Sequence, residues 1–307
     1  MSSKSSIKNI IKLSIPIFFA NLAIPLVAIV DTGLMGNLDN ASYLVATSIA
    51  ASVFSMIFWS FGFLRMGTVG MVAQAYGSKD YQEIINIFLR NIFFVIIISL
   101  LLIISQRFIF QISLSIFELS LETKKYFKDY FNLRIYSSFG ELTIFVITGL
   151  FIGLQKTKTS SIIIGFFSIT NILFSLFFVL YLNLNVQGVA LGTLVSSSLT
   201  TIIFLFYTFF DLNKFVQLEF NIHKIFNLTK IKNIFNINFN IFIRSILLTF
   251  AFLYFTYLGN SINEETVAAN TILLNLTMLS AFILDAYAFS TEGIVGYSIG
   301  SKNLRLL

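Results

Sequence analysis

The stretch Thr68-Val69-Gly70-Met71-Val72, followed by Gly77-Ser78-Lys79, returns as Thr291-Glu292-Gly293-Ile294-Val295 followed by Gly300-Ser301-Lys302. At the same spacing Gly36-Asn37 returns as Gly259-Asn260, and Ala46 and Ile49 fall on Ala269 and Ile272. The register holds without a gap. A long-period repeat in a strongly apolar chain points to a duplicated membrane protein, and such duplications point to transporters whose two related halves rock about a shared site. Two full copies would take about 446 residues. The 307-residue chain is therefore expected to hold one complete copy and the opening of a second, as a partial or truncated sequence.

The composition agrees. Hydrophobic residues make up 57% of the chain and charged residues 11%, where a soluble domain carries about 25% charged residues. Thirty-seven Phe and only two Pro leave long uninterrupted apolar runs. The net charge of +6 sits mostly in short loops between those runs, so it is no nucleic-acid signature. Zero Cys excludes disulfides, Cys-ligated metals and thiol chemistry. The single His, His223, lies in a polar connector, away from any metal or catalytic cluster. There is no phosphate-binding glycine loop, no HExxH and no G-x-S-x-G elbow, so neither an enzyme nor a cofactor or metal site is expected. No small-residue cleavage site interrupts Leu13 to Val30, which reads as a first span and not as a removable signal.

A helix needs about 20 apolar residues to cross the hydrocarbon core. Eight stretches qualify: 11–35, 44–75, 85–106, 126–153, 160–182, 187–210, 237–258 and 267–298. The second, fourth and eighth are long and contain Gly, which predicts tilt or local unwinding. Lys4, Lys8, Lys12, Lys79, Lys156, Lys158, Lys214, Lys224, Lys230, Lys232, Lys302 and Arg305 gather on one side, while the turns near 37–42, 182–187 and 259–265 carry no Lys or Arg. By the positive-inside rule the N-terminus is cytoplasmic. The 107–128 connector, with Arg107, Lys124, Lys125 and Lys128, is the exception; Glu118 and Glu122 offer local partners, and an interfacial segment is expected there. The long polar connector 211–236 joins the copies, either as a surface helix or as a solvated linker.

Ionisable groups within these spans ask for a reason, since each costs roughly 2.5–3.5 kcal/mol at mid-bilayer on insertion scales. Asp31 follows Val27-Ala28-Ile29-Val30 in the first span, which also holds both prolines, Pro16 and Pro25. A proline-bent helix carrying a carboxylate suits a proton or sodium site; the alternative is an aspartate near the outer interface. Asp285 and Glu292, seven residues apart in the eighth span, share a helix face, for packing or for a polar cavity. Arg65 and Arg244 are candidate counter-charges, and Arg134 and Glu141 are likewise seven apart; for the arginines, structural neutralisation is expected. Asn171 and Thr193 are uncharged, and hydrogen bonding between helices is their default role.

These residues together resemble a known family. Ile15-Pro16, Ala20-Asn21, Pro25-Leu26 and Val30-Asp31-Thr32 are similar to the first helix of multidrug and toxic compound extrusion (MATE) transporters. Met66-Gly67-Thr68-x-Gly70 through Gln74-Ala75-x-Gly77 resembles their second helix, and Val186-Gln187-Gly188-Val189-Ala190-Leu191-Gly192-Thr193 their sixth. Ile241-Phe242-Ile243-Arg244 and Leu284-Asp285-x-x-Ala288-Phe289-x-x-Glu292 resemble the branch named for DNA-damage-inducible protein F.

The resemblance implies an all-α polytopic membrane protein with a MATE-like bundle. Residues 1–210 would form a complete N-terminal six-helix lobe, 211–236 a cytoplasmic linker, and 237–307 the first two helices of an incomplete second lobe. It implies a non-enzymatic, multi-pass protein of a bacterial inner membrane, monomeric at full length, that exports small organic, often cationic compounds against H+ or Na+. Asp31 would couple the cation, and Asn171 and Thr193 would line the same cavity. Many relatives carry an Asp one turn after the Asn; Ser175 stands there instead, which leaves one carboxylate fewer and counts against sodium coupling and strong cation selectivity, while protonation of Asp31 alone would still couple transport. Pro16 and Pro25 would bend the first helix, and Asp285 and Glu292 are second-lobe polar sites. Two other functions fit the same residues: a lipid-linked oligosaccharide flippase of related architecture, using Arg65, Arg134 and Arg244, or an inactive fragment.

Overall fold

The computed structural model describes residues 3–117, 119–215, 225–260 and 264–303, all of whose regular elements are helical. His223, Glu118, Lys224 and Arg305 lie outside the described residues. In chain order the helices are α1 (Ser3–Gly36), α2 (Ala41–Ser60), α3 (Phe63–Gly77), α4 (Tyr81–Ile104), α5 (Gln106–Ile116), α6 (Leu121–Arg134), α7 (Ser138–Gly153), α8 (Thr157–Leu176), α9 (Asn185–Leu212), α10 (Leu228–Asn260) and α11 (Glu264–Gly300). Among the described residues, seven segments are long and apolar enough to cross a membrane, with α2–α3 and α6–α7 each joined into one; α11, the expected eighth span, is not among them.

Side-chain caps set several starts. The Asn40 carboxamide oxygen accepts from Ser42 N at 2.9 Å, Asp80 from Glu83 N at 3.0 Å, and Ser120 from Thr123 N at 3.2 Å. Each satisfies a backbone donor that the first turn leaves free. Asn227 does the same for α10, accepting from Thr229 N and Lys230 N at 3.0 and 3.2 Å. α10 therefore begins at Leu228, nine residues earlier than its apolar run, and takes up the second half of the polar connector. The Ser120 cap likewise starts α6 at Leu121, with Lys124, Lys125 and Lys128 on its first turns.

Two of the expected interruptions are present. The second span breaks at Phe61-Gly62, and the fourth tightens into a 3-10 turn at Ile135–Ser137. The eighth instead runs unbroken from Glu264 to Gly300. One interruption had no sequence signal: a π turn at Phe177–Tyr181, directly after α8.

The first copy closes around α6 and α7. Phe54, Phe88, Phe127, Phe131 and Phe151 all belong to its core, each at most 1% exposed. The outward faces of the spans are apolar as well: Phe19, Ile29, Phe108, Phe206 and Leu247 are all more than 60% exposed. Such faces would drive association in water but suit the hydrocarbon of a bilayer.

The repeat is visible in the packing. α3 and α11 lie against each other, and their ends are built alike. Ser78 N, Lys79 N and Asp80 N donate to Gln74 O, Tyr76 O and Ala75 O at 3.0, 3.1 and 2.9 Å; Ser301 N, Lys302 N and Asn303 N donate to Tyr297 O, Ile299 O and Ser298 O at 2.9, 3.1 and 3.0 Å. Lys79 and Lys302 both take the left-handed conformation, with φ of 60° and 53°, which closes a Schellman-type cap with Lys where Gly is usual.

Candidate functional site

Three helices of the first copy converge on one polar cluster. Asn171 and Ser175 lie one turn apart on α8, Thr193 faces them from α9, and Asp31 approaches from α1. Asn171 Nδ2 donates to Thr193 Oγ1 at 3.1 Å, and Ser175 Oγ donates to Asn171 Oδ1 at 3.4 Å. Asp31 lies beside the Ser175 hydroxyl. Asn171, Ser175 and Thr193 are almost wholly buried. Small residues make this approach fit: a β-carbon on Gly192 of α9 would stand 2.6 Å from Ser175 Oγ and 2.8 Å from Ser175 N.

Asp31 carries the sharpest feature. Its Oδ1 is buried with no hydrogen-bond partner. Buried polar atoms are almost always paired, and an exception asks for an unseen partner or a function. The first-copy residues singled out in the sequence are thus brought together.

Sequence reasoning missed the shell behind them. Arg134 and Tyr130 of α6 interact with each other and lie within electrostatic range of Asp31. Arg134 pairs with Glu141 of α7 through both nitrogens of the fork, Nη2 to Oε2 at 3.1 Å. Ser137 donates to Glu141 Oε1 at 2.7 Å. The guanidinium lies 5.3 and 5.1 Å from the rings of Phe54 and Phe58. The Arg134–Glu141 neutralisation was foreseen. The place of Tyr130 was not, although Phe127, Tyr130, Phe131 and Arg134 share one face at helical spacing.

Pro16 and Pro25 lie inside α1, which remains one helix through both. Each lacks the backbone N–H that would bond the carbonyl four residues earlier, at Lys12 and Asn21. Between them, Asn21 Nδ2 donates to Phe282 O of α11 at 3.4 Å, tying the first helix to the second copy.

Asp285 and Glu292 fall elsewhere, on α11 against α3. Both lie within electrostatic range of Arg65 and Arg244, the expected counter-charges. Glu292 Oε1 would stand 3.3 Å from a β-carbon on Gly70. The Arg65 guanidinium lies 4.0 Å above the ring of Phe289, and Arg244 Nη2 reaches Met66 Sδ at 3.3 Å. Among the described residues no cluster of three or more His, Cys, Asp or Glu side chains could hold a metal ion.

With this geometry in view, the matches to known proteins follow. The family model described as MatE matches residues 16–177, which is more than half of the chain. The chain belongs to the MatE family. Family members are transporters and not enzymes. DNA damage-inducible protein F of Escherichia coli (strain K12) is 28% identical over 302 residues, covering 97% of this chain and 65% of that protein. Multidrug export protein MepA of Staphylococcus haemolyticus (strain JCSC1435) is 24% identical over 306 residues, covering 98% and 66%. The chain thus spans just under two thirds of the length of these relatives. Among solved structures, one described as the outward-facing conformation of a multidrug resistance MATE family transporter of the MOP superfamily superposes with a TM-score of 0.87 at 20% identity, over 98% of this chain and 66% of that one. A MOP superfamily transporter from Pyrococcus furiosus Vc1 (DSM3638) gives 0.86 at 20% identity, over 98% and 66%. At that identity the likeness is one of fold. The MATE-like, all-helical membrane fold expected from the sequence is therefore the fold of this MatE chain.

Proposed function

We propose that this MatE protein works as a secondary antiporter, exporting small organic, often cationic compounds in exchange for protons by alternating access. One observation carries the proposal: an aspartate with a buried, unpartnered oxygen at the meeting point of α1, α8 and α9. Asp31 takes a proton from the outside. The charge that attracted a cationic substrate is then gone, and α1 bends where Pro16 and Pro25 interrupt its hydrogen bonding. The proposed substrate site beside Asn171, Ser175 and Thr193 contracts and substrate leaves outward. Deprotonation to the cytoplasm, on the side of Lys8, Lys12 and Lys79, restores the binding form. Exchange follows because proton and substrate differ in their affinity for the two arrangements.

Protons are favoured over sodium because the cluster has one carboxylate. The other oxygens, from Ser175, Asn171 and Thr193, are neutral; they could complete a sodium shell, but with little charge to hold it. The flippase reading needs arginines that can face a pyrophosphate; Arg134 is committed to Glu141, and Arg65 and Arg244 lie in the field of Asp285 and Glu292, which would repel it.

The test is Asp31→Asn in cells lacking their own exporters. The variant is expected to insert at normal levels and to lose ethidium efflux. Efflux by Asp31→Asn that still responds to the pH gradient would refute the coupling role.

A further inference from the structure

The contact between the copies holds a second charged assembly, remote from the Asp31 cluster. From α3 come Arg65, Met66, Gly67 and Gly70. Facing them are Asn238 and Arg244 of α10 and Asp285, Phe289 and Glu292 of α11. The two cations and two carboxylates balance. Yet among the described residues no ion pair within 4.0 Å joins them, and Arg65 Nε and Nη2 and Asn238 Oδ1 are buried without hydrogen-bond partners. Asn238, only 5% exposed, presses its Oδ1 against the α-carbon side of Gly67. Glu292 leans on Gly70 in the same way. Arg65 is held by the Phe289 ring and by the field of the two carboxylates, all supplied by the other copy.

We propose that Arg65, with Glu292 and Asp285, forms an electrostatic lock between the copies, which holds α3 on α11 and must be released for the two to separate. The physical reason is the cost of an unpaired charge. Separation of α11 from α3 would leave Arg65 without its ring and its counter-charges inside the span, and a stranded buried charge costs far more than the pair contributes. Because the contacts are loose, without a direct salt bridge, the lock is releasable and not a permanent weld. It works where two tight arrangements compete, since packed interfaces switch between discrete states and do not stretch. The lock concerns the α3–α11 contact itself, and its test does not depend on the chain exporting any compound.

The chain lacks cysteine, so a reporter pair can be added without removing anything. Tyr76 and Tyr297, whose ring centroids lie 5.6 Å apart, sit farther along the same seam. In the Tyr76→Cys/Tyr297→Cys chain in native membranes, the rate of cross-linking by a short bis-methanethiosulfonate reads the closed contact. Arg65→Glu and Glu292→Arg are each expected to lower that rate on the order of tenfold, and the two together to restore most of it, as coupled neighbours do. Arg65→Gln and Glu292→Gln supply a neutral series for which insertion is easier; there the double variant is expected closer to the parent than Glu292→Gln alone. If charge reversals leave the rate unchanged, or if neither double variant improves on its worse single, the lock is refuted.

Discussion

Gly77 and Gly300, equivalent positions in the two copies, each lie against a backbone carbonyl of the other copy, Tyr297 for Gly77 and Gln74 for Gly300, which are themselves equivalent positions. The contact is reciprocal, as in an isologous interface between two subunits, but is made within one chain. It explains why the repeat is strongest at Gly-Ser-Lys. Only a residue without a β-carbon lets the two helix ends approach so closely, and the neighbouring atoms are backbone, which cannot move aside.

Gly77→Ala and Gly300→Ala are therefore expected to destabilise to similar extents, by about 1–3 kcal/mol each, as overpacked sites do. Gly165→Ala provides the contrast. Nothing lies within 4 Å of its added carbon, so the helix should gain roughly 0.5–1 kcal/mol. Thermal unfolding of the purified protein in detergent checks both signs.

The spans, the bundle class and the residues of the first-copy cluster were legible in the sequence because they rest on strong local signals. Hydrophobic run length found the helices, and an aspartate in an apolar run drew attention to Asp31. What stayed hidden depended on partners distant in sequence. The start of α10 was set by an Asn227 cap inside a polar connector, where hydropathy looks the wrong way. Tyr130 shared a helical spacing with Phe127, Phe131 and Arg134 that marks a face and no partner, Asn238 had no such signal, and both acquired roles only through the helices packed upon them. The π turn after α8 shifts the frame of one helix against its neighbours, which no residue pattern announced.

The Arg134–Glu141 pair is mostly buried, with side-chain exposures of 11% and 14%. Glu141→Gln should leave Arg134 uncompensated and cost about 3–5 kcal/mol. Arg134→Gln/Glu141→Gln should cost clearly less than the sum of the two single changes. Melting temperatures of the four proteins in the cycle measure the difference.

Thr193→Val keeps the shape of Thr193 but removes the acceptor of Asn171 Nδ2. An unpaired buried donor costs about 1–3 kcal/mol, so the variant should be less stable and bind substrate more weakly. Ser175→Asp places a second carboxylate beside Asp31. Two carboxylates among neutral oxygens suit a hard cation, so transport by this variant should become stimulated by sodium. Sodium titration of ethidium efflux reads the change.

Trp59, the single tryptophan of the chain, lies on α2 with its ring 6.4 Å from that of Phe252 on α10. It reports the contact between the copies without any label. Addition of ethidium should shift Trp59 emission in the parent chain. In Asp31→Asn, where protonation can no longer be exchanged, lowering the pH should leave that emission unmoved.

The most direct measurement is proton release on substrate binding by the purified chain, in weakly buffered solution with a pH dye. Addition of ethidium to the parent protein is expected to release protons, with no dependence on sodium, and Asp31→Asn is expected to release none. Ethidium binding without proton release, or unchanged release from Asp31→Asn, would contradict proton-coupled exchange at Asp31.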